Sequence, residues 1–182
     1  VRYFRQVADP MKHWPGNENE QKKSLEGIRL FGGTLFQPLL MVLAKYMDER
    51  ALLSSSQPIS VFRGIETVAI RDHVCGRAVD RNQLTQLLNL SIERLQSGVA
   101  AEVGTLPDQL RTHLPSDRDF RDAFAEWSCD KTPMAKHILW RIERHITRPG
   151  QEPLSDNPRD ITLEHIMPQK LPDRNWSHVV NY

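Results

Sequence analysis

The sequence is poor in the features that mark disulfide-stapled and membrane-spanning proteins. Only two of its 182 residues are cysteines, Cys75 and Cys129, and their spacing fits neither a CxxC pair nor a metal-ligand motif. Two such thiols are typical of a reduced, cytoplasmic protein. The longest apolar run covers residues 38–44, whereas a bilayer-spanning helix needs about 20 apolar residues. The composition therefore excludes a disulfide scaffold and predicts no membrane segment.

A strong charge of either sign is also missing. The formal net charge is +1 at pH 7, so no overall attraction to nucleic acid or to a membrane surface is expected, and any DNA contact must come from a local basic patch. Hydrophobic residues make up 39% and charged residues 26% of the chain, as in ordinary globular proteins. A chain of this length can bury a core without staples, which predicts one main domain with a small appendage.

The spacing of apolar side chains, three or four residues apart, predicts that most of the chain is helical. The clearest example extends from Leu25 to Met47. Gly32, Gly33 and Pro38 interrupt this pattern, so a kink or two separate helices is expected there. We expect about six helices in all, packed as an irregular bundle.

Two of the following helices have predicted ends. Apolar residues share one face of the segment 60–76, and Gly76 is expected to end that helix. The segment 82–98 has a similar apolar stripe, with Asn82 as the expected cap and Gly98 as the expected end.

The next two helices have predicted starts. Ser116 and Asp119 have the spacing of a capping box. Thr132 and Pro133 predict a further helix start, because a proline in the first turn loses no hydrogen bond. The stripe of this last helix that is expected to be buried consists of Met134, Ile138, Leu139, Ile142 and Ile146. The polar positions expected to face elsewhere are Arg141, Arg144, His145 and Arg148, and the two histidines of the helix, His137 and His145, are expected to be solvated or capping.

The composition changes near residue 150. The segment 148–160 contains three prolines, which predict a loop and a boundary. The segment 161–166, ITLEHI, then predicts a short strand. We therefore divide the chain into a helical bundle over residues 1–150 and a second unit over residues 151–182, which consists of a linker and an element that begins with a strand.

The predicted strand ends in Glu164 and His165, two side chains suited to hydrolysis of a phosphodiester. A neutral imidazole takes a proton from water near pH 7, since its ordinary pKa is about 6.5. A carboxylate is a hard oxygen ligand that suits Mg²⁺ or Mn²⁺. A base beside such a metal is the minimum equipment for cutting a phosphodiester. A surface pair without any chemistry is the competing interpretation.

The residues around this pair resemble a known family. The segment 161–176, ITLEHIMPQKLPDRNW, is similar to the opening of the HNH-type nuclease domain at the C-terminus of GmrSD-type, modification-dependent restriction proteins. In that family a strand ends in Glu-His-Ile-x-Pro-Gln, and a tryptophan follows shortly. The upstream segments 65–76, 119–127 and 135–144 resemble the helical region that precedes the nuclease in those proteins.

The resemblance implies a ββα-metal fold around one divalent cation, Mg²⁺ or Mn²⁺. His165 would be the general base and Glu164 a metal ligand, while Pro168 and Gln169 would shape the turn and Trp176 would pack the loop. The whole protein would then be a prokaryotic restriction endonuclease that cuts or nicks DNA in defence against phage.

Two parts of such a protein are not found in this sequence. The helix that completes the metal site would follow Tyr182, and a nucleotide-hydrolysing domain would precede the bundle. We therefore expect an excised piece of a longer polypeptide: a mainly α protein with the start of a truncated HNH-like domain. We expect it to fold, to bind no metal at Glu164 and to be inactive on DNA.

Basic residues near the predicted site are candidates for contacts with DNA phosphates. They are Arg141, Arg144, Arg148, Arg159, Lys170 and Arg174. An ordinary solvated face is the alternative for the three arginines of residues 141–148. The alternative for the whole chain is a helical regulatory or interaction module without chemistry, which would couple a nucleotide-hydrolysing domain to a partner.

Overall fold

The protein is mainly helical. The computed structural model describes residues 2–14, 19–50, 57–76, 80–97, 102–147, 155, 158–160 and 162. The helices in these ranges are α1 (Arg2–Ala8), α2 (Pro10–His13), α3 (Asn19–Gly32), α4 (Gln37–Glu49), α5 (Gln57–Val74), α6 (Arg81–Gln96), α7 (Glu102–Arg111), α8 (Asp117–Glu126) and α9 (Thr132–Ile146), followed by a 3-10 turn at Pro158–Asp160. The described residues contain no β-strand, and the strand expected over 161–166 lies, apart from Thr162, outside them.

The interruption predicted around Gly33 is a break between two helices. Gly33 has a φ of +58°, a left-handed conformation that glycine adopts without a steric penalty, and α3 ends just before it. Pro38 lies in the first turn of α4, where its missing N–H costs no hydrogen bond. The two glycines and the proline therefore mark a boundary between two separate helices. This is one of the two predicted outcomes, the other being a kink in a single helix.

The described ranges contain nine α-helices, more than the expected number of about six, and the N-terminal region accounts for part of the difference. Its lead-in forms α1 and α2, which are separated at Asp9 because Pro10 cannot donate a backbone hydrogen bond to continue α1. Both short helices pack onto longer ones: α1 lies against α4, and α2 lies against α3.

The centre of the fold is the pair α3 and α5. Helix α5 also contacts α7 and α8, while α4 packs on α6 and α9 packs on α3. Gly64 of α5 allows the close approach of α7, because a Cβ at this position would overlap the ring of Pro107. The fully buried large side chains that fill the core include Trp140, Phe36, Phe62, Leu25, Ile28, Leu39, Leu43, Met47, Ile65, Leu84 and Leu110.

Among the predicted helix ends, those at Gly76, Ser116 and Thr132 are confirmed and the cap at Asn82 is wrong, while Gly98 lies outside the described residues. Gly76 follows α5 with a φ of +67°, and Ser116 and Asp119 form the predicted capping box at α8. The cap of α6 is Asp80 instead of the predicted Asn82. The Asp80 carboxylate accepts hydrogen bonds from the backbone N–H groups of the second and third helical residues, at 2.7 and 3.2 Å.

The buried face of α9 differs from the predicted stripe. Met134 and Ile138 are buried as expected, but Leu139, Ile142 and Ile146 are 50%, 42% and 67% exposed. The inward face includes His137 and Trp140 instead. Apolar spacing alone predicted the wrong rotation of the helix, because polar side chains of α9 have charged partners inside the protein and take positions that polarity assigned to solvent.

The described residues provide information on two features that the composition predicted, the lack of a membrane-spanning segment and the two unpaired cysteines. None of the described helices has the length and apolar character that crossing a bilayer requires. Cys75 and Cys129 are free thiols and partly buried. Burial raises the pKa of the Cys75 thiol above its ordinary value, which lowers its reactivity at neutral pH.

Candidate functional site

The described structure contains three of the sequence-predicted site residues. Arg141 and Arg144 lie on α9, and Arg159 lies in the 3-10 turn that follows it. The predicted residues that lie outside the described ranges are Arg148, Glu164, His165, Pro168, Gln169, Lys170, Arg174 and Trp176. The structure therefore describes the helices that precede the predicted nuclease strand. The role of the Glu164–His165 pair stays a prediction.

Arg141 forms a two-point ion pair with a carboxylate of α5. Its Nε donates to Glu66 Oε1 at 2.9 Å, and its Nη2 donates to Glu66 Oε2 at 2.6 Å. The side chain of Glu66 is 4% exposed and that of Arg141 is 15% exposed. A guanidinium that binds both carboxylate oxygens is the strongest geometry for such a pair and also fixes its orientation.

The same guanidinium also bonds to α3. Arg141 Nη1 donates to Glu20 Oε2 at 3.1 Å, and Nη2 donates to Ser24 Oγ at 2.9 Å. Arg144 reaches Glu20 as well, with Nη2 3.6 Å from Oε1. The expectation that Arg141 belongs to a solvated face is therefore corrected: its side chain joins α9 to α3 and α5.

His137 lies one turn before Arg141 and contacts the same carboxylate. Its Nε2 is 2.5 Å from Glu66 Oε1, and the residue is 1% exposed. The expectation of a solvated or capping histidine is therefore wrong here. Gly27 of α3 makes room for this contact, since a Cβ at this position would lie only 2.6 Å from His137 Nε2. Among the described residues, His137 Nδ1 has no hydrogen-bond partner.

Trp140 connects this network to the segment after α9. Its indole Nε1–H donates to the carbonyl oxygen of Ser155 at 3.0 Å. Three cations lie over its ring: Lys23 Nζ and Arg141 Cζ are each 4.7 Å from the centroid, and Arg144 Cζ is 5.8 Å from it. Because a buried tryptophan needs a partner for its N–H, this bond ties Ser155 to α9.

A second ion cluster holds the 3-10 turn on α3. Arg29 donates from Nε and Nη2 to both oxygens of Glu26, at 2.9 and 2.8 Å, and Arg159 Nη2 donates to Glu26 Oε1 at 2.9 Å. Burial alone would raise the pKa of Glu26, but the hydrogen bonds and positive charges of the two arginines outweigh it and hold that pKa below its ordinary value. Glu26 is therefore an ionised carboxylate at neutral pH.

A cavity of about 570 Å³ lies between these two clusters. Its wall includes Arg29 and Leu30 of α3, Lys136 and His137 of α9, and Arg159 of the 3-10 turn. Among the described residues, no group of three or more His, Cys, Asp or Glu side chains is arranged to hold a metal ion. The cavity wall thus combines cationic side chains with apolar groups and the carboxylate of Glu26.

Sequence reasoning missed the partners of the α9 residues. Glu66 lies directly after Ile65 and close to Val68 among the buried residues of α5, and it is 3% exposed. A lone carboxylate at such a position, together with a His-x-x-x-Arg spacing on another helix, is the signal that could have predicted a buried ion pair. Because 71 and 75 residues separate these partners, the pattern within one helix does not reveal the pairing.

Comparisons with protein-family models, with curated proteins and with solved structures found no match. The resemblance to GmrSD-type restriction proteins therefore depends on the residues of this chain alone.

Proposed function

We propose that this chain is the helical region and the first nuclease strand of a DNA-cutting restriction protein. The observation that carries the proposal is the run Glu164-His165-Ile166, with Pro168 and Gln169 two and three residues further on. In this proposal, His165 removes a proton from the attacking water and Glu164 binds the divalent cation, Mg²⁺ or Mn²⁺. The cation, when bound, would stabilise the negative charge that develops on the phosphate.

The helical region has a supporting role in this proposal. Trp140 and Glu26 hold Ser155 and Arg159 against α9 and α3, only a few residues before the proposed site. A catalytic group must be held within a fraction of an ångström of its working position, so support by rigid elements favours chemistry close to them. The anchored turn at Pro158–Asp160 is consistent with a nuclease strand that starts from a fixed point.

An interaction module without chemistry is the second candidate. The observation that favours it is the exposed row of Leu139, Ile142 and Ile146 on α9, since these residues lie three and four positions apart on one face. Such a row is typical of a helix that packs against another protein surface. Under this interpretation the bundle would transmit a conformational signal to a partner, and Glu164 and His165 would have no catalytic role.

Cleavage of plasmid DNA by the complete natural protein distinguishes the two candidates. With Mg²⁺ or Mn²⁺ present, His165→Ala should lower the cleavage rate by about 10²–10⁴, the usual effect of losing a general base, even at saturating metal. DNA binding should be retained. Glu164→Ala should instead raise the metal concentration that half-maximal cleavage requires. His145→Ala, a change at an exposed histidine of α9, is the matched control and should cleave normally. Unchanged cleavage by His165→Ala would contradict the proposal.

A further inference from the structure

Exposed apolar side chains are concentrated on α9. Among the described residues, five large hydrophobic side chains are exposed, and three of them, Leu139, Ile142 and Ile146, lie on this helix. The other two, Phe4 and Leu90, lie singly on α1 and α6. Single exposed apolar residues are normal on a protein surface, whereas several on one face mark an interaction site. Within the described part of the chain, the row on α9 is therefore the strongest candidate for an interaction surface.

The spacing of this row is that of a coiled-coil seam. Ala135, which is partly exposed, precedes Leu139 by four residues, and Ile142 and Ile146 follow at steps of three and four residues. These steps place the four side chains at successive d, a, d and a positions of a heptad repeat. The row extends over about 16 Å of the helix axis. Helix α9 thus presents a short seam of the kind that packs against a second helix.

The seam is complementary to itself when two copies of α9 run in opposite directions. The steps of four, three and four residues are the same when counted from either end, so an antiparallel copy places each apolar residue opposite another one. Leu139 then faces Ile142 of the second copy, and the small Ala135 faces the larger Ile146. An interface closed by a two-fold axis requires this property, because the same patch is used on both sides.

Charged residues beside the seam favour the antiparallel direction. Lys136 and Glu143 each follow a d residue and are seven residues apart, so they occupy the same flanking position. In an antiparallel pair, equal flanks face each other, and Lys136 lies near Glu143 of the second copy. In a parallel pair, opposite flanks meet, and Lys136 would lie near Lys131 of the second copy. Because Glu143 already accepts a hydrogen bond from Thr147 Oγ1 at 2.9 Å, its contribution is a charge that sets the orientation and not a strong direct bond.

We propose that α9 pairs with α9 of a second copy of this chain, in the antiparallel direction, along the seam formed by Ala135, Leu139, Ile142 and Ile146. The pairing is weak and depends on concentration, because two helices that touch over four layers bury less than the about 1,200 Å² that stable complexes bury. A second copy covers the surface that the interaction-module candidate assigns to a different protein. The pairing goes beyond the nuclease proposal and needs none of its catalytic residues.

Sedimentation equilibrium of the 182-residue chain at pH 7 tests the pairing. The average mass should rise from the monomer value toward the dimer value between about 10 and 500 µM, as expected for a dissociation constant on the order of 100 µM. Leu139→Asp should remove this rise, because it places a charge inside the apolar seam. Leu90→Asp is the matched control, since Leu90 is also 50% exposed but lies on α6, and this variant should associate like the wild type. Circular dichroism should show that both variants are folded.

Lys136→Glu tests the direction of the two helices in the same assay. In the antiparallel pair, the new carboxylate lies near Glu143 of the second copy, so the dissociation constant should increase by about two- to fivefold, the usual effect of one exposed charge pair. In a parallel pair, the same change would turn the repulsion from Lys131 into an attraction and tighten the dimer. Lys45→Glu changes the net charge equally at an exposed lysine of α4 and should leave the dissociation constant unchanged.

Three results would overturn the proposal. A chain that stays monomeric at about 500 µM would assign the row to another occupant, either a different protein or another segment of this chain. A dimer that Leu139→Asp leaves intact, or that Leu90→Asp weakens equally, would form through another surface. Unchanged or tighter association of Lys136→Glu would exclude the antiparallel arrangement. Because no measurement here uses DNA, the outcome is independent of the proposed nuclease function.

Discussion

Glu66→Gln is the substitution that tests the ion network at the centre of the bundle. The change keeps the shape of the side chain and removes its charge. Arg141 then loses the negative partner that its Nε and Nη2 bind at 2.9 and 2.6 Å, and His137 faces an amide instead of a carboxylate. Both partners are at least 85% buried, so water does not replace the lost interaction.

The magnitude follows from the partners that remain. Removing one member of a buried ion pair costs about 3–5 kcal/mol, because the other charge is left without compensation. Glu20 and Ser24 still accept hydrogen bonds from Arg141, and the glutamine oxygen replaces one of the lost acceptors. We therefore expect about 3 kcal/mol, the lower end of that range. This is a large part of the about 5–15 kcal/mol that stabilises a typical domain, and it lowers the melting temperature by about 6–12 °C.

Urea unfolding followed by circular dichroism at pH 7 measures this change. Glu49→Gln is the matched control, because Glu49 pairs with Lys45 at 3.7 Å on the surface and both side chains are more than half exposed. The control should change the free energy of unfolding by less than about 0.5 kcal/mol. The double variant Glu66→Gln/Arg141→Gln should be more stable than the sum of the two single effects predicts. A loss below about 1 kcal/mol for Glu66→Gln, or strict additivity, would refute the reasoning.

Two further predictions concern α9 and the Glu26 cluster. Leu139→Ala should change the free energy of unfolding by about 0.5 kcal/mol or less, because Leu139 is half exposed, whereas Ile138→Ala should cost about 2–5 kcal/mol; chemical denaturation of both variants checks the assigned face, and equal losses would contradict it. The folded-state pKa of Glu26 lies below the ordinary value of 4.5, so its contribution to stability is present above that pH and is lost as the pH falls through the folded-state pKa. Arg29→Gln removes one of the causes of this lowered pKa and should make the free energy of unfolding less dependent on pH below about 4.5. Urea unfolding at several pH values measures this dependence, and an unchanged one would mean that Arg29 does not stabilise the ionised form.

Features set by local chemistry were predictable from the sequence. Gly33 and Pro38 separate α3 from α4 because one adopts a left-handed conformation and the other suits a first helical turn. The capping box of α8 was predicted for the same reason, since Ser116 and Asp119 are three residues apart and bond to each other's backbone. Such signals depend only on neighbours along the chain.

The rotation of α9 was not predictable in this way. Apolar spacing placed Leu139 and Ile142 inside, and polarity placed His137 and Arg141 outside. The decisive partner, Glu66, is more than 70 residues away, and a buried carboxylate reverses the preference of an arginine for water. Local pattern therefore gives the correct helix and the wrong face wherever a long-range charge pair competes with apolar burial.

The position of α9 along its own axis is fixed by the same contacts. Apolar side chains such as Met134 and Ile138 can pack against a neighbouring helix at more than one offset with a modest loss. A guanidinium that binds both oxygens of one carboxylate cannot, and a slip of one turn, about 5.4 Å, would move Arg141 away from Glu20 and Ser24 as well. The charged network thus specifies the register of the last helix. Through Trp140, whose indole N–H bonds to the carbonyl oxygen of Ser155, it also sets where Ser155 lies on the bundle.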